Sequence, residues 1–139
     1  DEAVNQLGLT SEEITEVSKP VKKEIERRRK LYRGEKSLPH IEGRVVIVID
    51  DGLATGFTMM TAISSLKKYN PSKIIVAVPV AHREAYNLIR RVVDEITVLH
   101  ISDSYMFAVG SFYDDFSQTT DEEVISYLKA SEEYLKKKL

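Results

Sequence analysis

Three short runs of β-branched and other apolar residues constrain the fold of this 139-residue chain more than any other feature. The first run is Val45–Ile49, and the other two lie at 73–80 and 95–101. The segments between them, 57–69 and 81–93, carry apolar residues at helical spacing and contain no proline. Alternating strand and helix is typical of α/β proteins. We therefore predict a doubly wound parallel sheet of about three core strands, the first buried on both faces.

Two further helices are predicted outside this alternating core. Thr10 is followed by glutamates in the next turn, a pattern that caps a helix start, and this helix should run to about Tyr32. Pro20 predicts either a break into two helices or a kink. A connecting loop is expected at 34–43, and a last helix over about 121–137 ends in a lysine run.

The composition excludes several classes of site and location. The chain has no cysteine, which removes disulfides, thiolate nucleophiles and cysteine-zinc sites. His40, His82 and His100 lie on different predicted elements, so we interpret them as surface or core residues rather than zinc ligands. No apolar run reaches about 18 residues and no signal sequence opens the chain, so we expect a cytoplasmic protein without a membrane partner.

The loop after the first strand has the residue types of a ligand site. Asp50 and Asp51 follow the strand directly, and adjacent carboxylates can accept hydrogen bonds from vicinal hydroxyls or approach a hydrated metal ion. Thr55, Gly56 and Thr58 then open the next helix, whose free N–H groups and dipole favour a phosphate. In open α/β sheets, ligands bind beyond the carboxyl ends of the strands. The loop therefore predicts a site for a ribose 5-phosphate.

The string at 46–58, VIVIDDGLATGFT, resembles the 5-phosphoribosyl-1-pyrophosphate (PRPP) signature of type I phosphoribosyltransferases. The resemblance implies the Rossmann-like sheet of that family. It also implies that Asp50 and Asp51 are the catalytic residues and hold the ribose hydroxyls, directly or through water bound to magnesium. The remaining PRPP-binding residues that it implies are Gly52, Leu53, Ala54, Thr55, Gly56, Phe57 and Thr58.

Two positions depart from parts of that family. Hypoxanthine and guanine transferases have an aspartate where this chain has Ala54, so the base that meets the purine in those enzymes is missing. Adenine and orotate types lack this aspartate too, and the sequence of the loop is most similar to that of the adenine type. Gly52 replaces a commonly aliphatic residue, which leaves the backbone path of the loop open.

The segment from Lys19 to Lys36 holds nine basic residues against three glutamates, although the net charge of the whole chain is only −2. In type I enzymes the region before the PRPP strand carries a flexible loop that closes over pyrophosphate. We interpret most of these basic residues as a solvated helix face. Tyr32 and Arg33 are the candidates for contacts with pyrophosphate or that loop. The overall charge gives no reason to expect a nucleic-acid partner.

An aromatic-rich segment follows the last strand. In related enzymes the loop at this place forms one wall of the base pocket, so Phe107, Phe112 or Tyr113 could stack on a planar base. The alternative is that these aromatic side chains are core. The segment at 108–123 is similar to the ending of a prokaryotic group of predicted phosphoribosyltransferases.

These observations give a leading hypothesis and two alternatives. The resemblance implies a glycosyltransferase of nucleotide metabolism, a phosphoribosyltransferase that binds PRPP and magnesium, exchanges pyrophosphate for a nitrogenous base and forms a homodimer. One alternative is a non-catalytic PRPP or nucleotide sensor that uses its basic helix as a contact surface. The other is a fragment that binds ligand without turnover.

The organisation of the chain is also an expectation. Three strands are few for this fold, and the sequence begins without methionine. We expect 1–139 to be a single domain from the C-terminal two-thirds of a longer chain. Within it we expect a basic helical segment at 10–36, followed at 44–139 by a PRPP-binding core and C-terminal helix.

Overall fold

The computed structural model describes residues 8, 10–37 and 39–138, which form four α-helices, three β-strands and one 3-10 helix. The chain divides into two compact units: the described parts of Asp1–Leu38 with Gln118–Leu139, and Pro39–Ser117. The single-domain organisation stays a prediction. The elements in chain order are α1 (Ser11–Arg33), β1 (Val45–Ile49), α2 (Phe57–Lys67), β2 (Lys73–His82), α3 (Arg83–Ile89), β3 (Glu95–Ser102), the 3-10 helix (Val109–Phe112) and α4 (Asp121–Lys138).

The unit Pro39–Ser117 is built on a parallel sheet with the strand order β1-β2-β3. Ile47 lies opposite Ile75 in the first pair of strands, and Val76 lies opposite Ile96 in the second. The predicted α/β fold with a three-stranded parallel sheet is therefore confirmed. β2 continues two residues beyond the predicted end, to His82, and α3 is correspondingly shorter than predicted.

One face of the sheet carries the core. Alternate residues of the central strand, Ile74, Val76 and Val78, are almost fully buried because α2 and α3 pack on the face to which they point. Met59 and Ile63 contribute from α2 to the same cluster. This packing holds α2 against the sheet, and with it the loop that connects β1 to α2.

The predicted burial of β1 on both faces is wrong. Val45, Ile47 and Ile49 are 54%, 59% and 76% exposed, and Leu99 on β3 is 84% exposed. β1 is an edge strand, and the helices of this unit pack against the face formed by the alternate residues, such as Val48. A continuous β-branched run predicts a strand but cannot tell which of its faces a helix will cover.

The other unit contains α1 and α4. Asp121, at the start of α4, accepts a hydrogen bond from the Tyr32 hydroxyl and pairs with Arg27 at 2.8 Å. The Tyr32 hydrogen bond, followed by the Arg27 hydrogen bond, lowers the pKa of Asp121. α1 passes through Pro20 as one helix, so the predicted break does not occur. No helix among the described residues is long and apolar enough to cross a membrane.

We predict that Ile63→Ala destabilises the unit that carries the sheet by about 2–5 kcal/mol, because it removes a buried side chain and leaves a cavity. Ile63 is only 1% exposed. Chemical denaturation measures the change in the free energy of unfolding. Ser64→Ala is the matched control, since Ser64 is exposed on the same helix and its loss should cost less than about 0.5 kcal/mol. Equal losses in the two variants would contradict the packing described here.

Candidate functional site

The loop between β1 and α2 is attached to the sheet through Leu53. The Leu53 N–H donates to the Val80 carbonyl at 2.9 Å, and the His82 N–H donates to the Leu53 carbonyl at 2.8 Å. This forms an isolated parallel bridge with Ala81, and the Leu53 side chain is only 2% exposed. The middle of the loop is therefore fixed at the carboxyl end of β2, and the residues on either side of Leu53 are held beyond the end of the sheet.

Asp50 and Asp51 begin this loop where β1 ends, as the sequence predicts. Asp50 is half-buried and Asp51 is exposed, and the Asp51 N–H donates to the Asp50 Oδ1 at 3.0 Å. Both line a cavity of about 210 Å³. The same cavity is lined by the loop residues Gly52, Leu53, Ala54, Thr55, Gly56 and Thr58, and by Met59 and Val109. Among the predicted loop residues, the structure thus gathers all but Phe57 around one space.

The start of α2 supplies backbone donors to this cavity. Gly56 is the N-cap residue and has φ +80°, a left-handed conformation that favours glycine. The N-cap residue provides no side chain, the first N–H, that of Phe57, donates only a long hydrogen bond of 3.5 Å to the Thr55 Oγ1, and the first turn contains no acidic residue. The N-terminal N–H groups of a helix lack partners within the helix and carry the positive end of its dipole. An anion of the size of a phosphate suits this end of the cavity.

Gly52 has to be glycine for packing reasons. A Cβ added at Gly52 would lie 2.7 and 2.8 Å from the two Val109 methyl groups and 2.9 Å from a methyl group of Val80. The 3-10 helix therefore sits directly on the backbone of the loop. The Tyr113 hydroxyl donates to the Asp51 carbonyl at 2.7 Å, which adds a second contact from the same segment. Together these contacts account for the departure from the aliphatic residue that the resemblance leads one to expect here.

A second cavity, of about 380 Å³, shares Ala54 and Thr55 with the first. Phe107 lines it, together with Phe57 and His82. The sequence predicts three aromatic residues for a base pocket. Of these three, the structure places Phe107 against this cavity. Phe107 faces this cavity, Phe112 packs on the rings of Phe107 and His100, and Tyr113 packs on Phe116.

Tyr32 and Arg33 belong to the other compact unit. Tyr32 bonds to Asp121, which raises the pKa of the Tyr32 hydroxyl, and an Arg33 Nη2 donates to the Ser37 carbonyl at 2.8 Å. Sequence reasoning missed Val109 and His82 as lining residues. An apolar residue before a glycine and a lone histidine carry no recognisable signal, because their role depends on which distant residues they meet.

The acidic pair can be tested as a metal site. Within residues 8, 10–37 and 39–138, no group of three or more His, Asp or Glu side chains could hold a metal ion. Asp50 and Asp51 supply two carboxylates side by side. Magnesium commonly keeps several waters and binds through one or two carboxylates together with the phosphates of its ligand. The pair therefore fits a magnesium ion that arrives with a phosphorylated ligand better than a metal held by protein groups alone.

Comparison with known proteins gives consistent matches. The family described as "Phosphoribosyl transferase domain" matches residues 3–115. "Putative phosphoribosyl transferase Rv0571c" of Mycobacterium tuberculosis is 29% identical over 128 residues, which cover 92% of this chain and 29% of that protein. The crystal structure of TT1426 from Thermus thermophilus is 36% identical with a TM-score of 0.62, and the match covers 75% of this chain and 47% of that one. The chain thus spans less than a third of the length of the curated relatives it matches.

We predict that Gly52→Ala distorts the loop and weakens the binding of a phosphorylated ligand, because the added methyl group collides with Val109 and Val80. We expect a cost of about 1–3 kcal/mol in the free energy of unfolding, measured by chemical denaturation. Val109→Ala removes two of the three close contacts, so a double-mutant cycle should show partial relief in the combined variant. Strict additivity of the two substitutions would contradict the proposed collision.

Proposed function

Since this chain belongs to the phosphoribosyl transferase domain family, we propose that it binds PRPP with magnesium and exchanges pyrophosphate for a nitrogenous base, or the reverse. The family membership confirms the resemblance that residues 46–58 predict. The activity, the substrates and the metal are proposals, because the chain spans only part of the length of its relatives. The homodimer expected for the family likewise stays a prediction.

One observation carries this proposal. The acidic pair and the start of α2 line a single cavity, so carboxylate acceptors and the backbone donors of a helix start are available to one ligand. A ribose 5-phosphate combines vicinal hydroxyls, which donate to carboxylates, with a phosphate, which accepts from N–H groups. Leu53 fixes the backbone between the carboxylate acceptors and the N–H donors at the start of α2. The site therefore offers groups that suit both ends of this ligand.

The roles of the residues follow from their chemistry. Asp50 and Asp51 accept hydrogen bonds from the ribose hydroxyls and orient the sugar. Thr55 and Thr58 offer hydroxyl donors beside the N–H groups that hold the 5-phosphate. Asp50 and Asp51 would hold magnesium together with the phosphates of the ligand, and the ion would offset part of the negative charge that develops on the pyrophosphate leaving group. The protein thus contributes mainly positioning and charge stabilisation around an oxocarbenium-like ribosyl centre, while the bond from the ribosyl carbon to pyrophosphate breaks and a bond to the base nitrogen forms, with no covalent intermediate on the enzyme.

The second cavity is the proposed place for the base. It shares Ala54 and Thr55 with the ribose-phosphate cavity, so a ligand that fills both would pass over these two residues. Phe107 offers a planar face on which a base can stack. Of the three aromatic candidates, Phe107 is the one we assign to the base. Phe112 packs on the ring of Phe107, whereas the Tyr113 hydroxyl donates to the Asp51 carbonyl of the loop.

We predict that Asp51→Asn weakens PRPP binding about ten- to a hundredfold in the presence of magnesium. The substitution keeps the shape of the side chain but removes the charge, and hydrogen bonds to charged groups contribute about 1.5–3 kcal/mol. Isothermal titration calorimetry measures the dissociation constant. Asp114→Asn is the matched control, since Asp114 is an exposed acid that does not line the cavity. Unchanged affinity in Asp51→Asn, or absence of binding by the unaltered protein, refutes the site.

Turnover needs a separate measurement. We expect the protein to release pyrophosphate from PRPP in the presence of at least one member of a panel of nitrogenous bases. Asp51→Asn should release it more slowly at saturating base, while Asp114→Asn should match the unaltered protein. Binding of PRPP without pyrophosphate release for any base would fit both the fragment and the sensor alternatives. If the full-length protein also releases no pyrophosphate with any base, the sensor alternative is favoured.

A further inference from the structure

His82 lies close to Ala54, a residue that lines both cavities. It is the last residue of β2, and its N–H donates to the Leu53 carbonyl at 2.8 Å, directly before Ala54. Its side chain is half-buried and lines the second cavity. The bridge between Leu53 and β2 thus fixes the Cα of His82 beside the loop.

The imidazole of His82 packs against the ring of Phe107. The two ring centroids lie 5.6 Å apart, with the ring planes tilted by 55°. This is a favourable aromatic arrangement, and it keeps the imidazole next to the face on which a base would stack. A base in contact with Phe107 would therefore have the imidazole of His82 within its immediate surroundings.

The two ring nitrogens of His82 are available for hydrogen bonds to a ligand. Among the residues that the structure describes, neither ring nitrogen has a hydrogen-bond or ion-pair partner. Asp103, the carboxylate whose charge interacts with His82, is held by Arg83 through hydrogen bonds of 2.9 and 3.0 Å. The Arg83 hydrogen bond also keeps the pKa of Asp103 below its usual value. An imidazole can donate from one nitrogen and accept at the other, which suits the edge of a heterocycle.

The other polar side chains around this cavity are less suitably placed to hydrogen bond with a base on Phe107. Tyr105 is fully exposed and Glu84 is exposed in the first turn of α3. Thr55 belongs to the wall that the ribose-phosphate cavity shares. The remaining lining residues, such as Phe57 and Phe107, add apolar surface only. His82 is thus the half-buried group that combines hydrogen-bonding capacity with contact to the aromatic wall.

We propose that His82 determines base specificity by hydrogen bonding to the edge of a purine or pyrimidine stacked on Phe107. This inference rests on the proposed function, because it requires a ribose phosphate in the adjoining cavity. The base contributes affinity beyond that of the sugar phosphate, and His82 supplies a large part of the difference. The ratio of the dissociation constants of ribose 5-phosphate and a nucleoside 5′-monophosphate measures the contribution of the base. The change in this ratio in a His82 variant measures the contribution of His82.

The test uses calorimetry with ribose 5-phosphate and with the 5′-monophosphates of adenosine, inosine and uridine. We expect the unaltered protein to bind at least one nucleotide more tightly than ribose 5-phosphate. His82→Phe keeps an aromatic ring against Phe107 but removes both nitrogens. This substitution should weaken the binding of that nucleotide on the order of tenfold and leave the affinity for ribose 5-phosphate unchanged. His82→Ala should weaken the nucleotide at least as much.

His100→Phe is the matched control, because His100 also packs on an aromatic ring, Phe112, at 5.3 Å but lines neither of the two cavities. Its affinities should equal those of the unaltered protein. Unchanged nucleotide affinity in His82→Phe would overturn the inference, since ring packing alone would then explain the position. Equal binding of ribose 5-phosphate and all three nucleotides by the unaltered protein would overturn it too. Failure to bind ribose 5-phosphate at all refutes instead the proposed function on which it rests.

Discussion

The position of the loop residues in the candidate site depends on the attachment of Leu53 to β2. Two backbone hydrogen bonds and a buried side chain fix this residue in the middle of a short surface loop. A loop without such an attachment would lose much of its order to conformational entropy. Because Leu53 is attached in this way, Asp51 two residues before it and Thr55 two residues after it line the same cavity. A site that must hold two ends of a ligand at once gains directly from this constraint.

The same attachment reshapes the neighbouring elements. The hydrogen bond from His82 to Leu53 extends β2 past the predicted end, and α3 begins only at Arg83. His82 therefore projects from the end of a strand rather than from a helix. The segment after β3 completes the site by packing Val109 on Gly52 and by bonding Tyr113 to the loop. Groups more than 50 residues apart in the chain thus depend on one another within a single unit.

Local signals carry the features that the sequence predicts well. Thr10 with Glu13 and Thr120 with Glu123 form the reciprocal hydrogen bonds expected at helix starts, because a cap involves only neighbouring residues. The β-branched runs likewise predict all three strands. The burial of β1 is not local, since it depends on which face the helices cover. For the same reason the sequence could not choose among the three aromatic residues at the end of β3.

The sequence by itself determined the alternation of strands and helices, the acidic pair after β1 and the glycine that opens α2. Each of these follows from a residue type and its immediate neighbours, through side-chain shape, charge and backbone freedom. Only the tertiary structure decided that Gly52 must accommodate Val109, that Phe107 rather than Phe112 faces the second cavity, and that His82 stands beside Ala54. These outcomes depend on contacts between distant segments, whose geometry is set when the core packs, and no pattern along the chain records it.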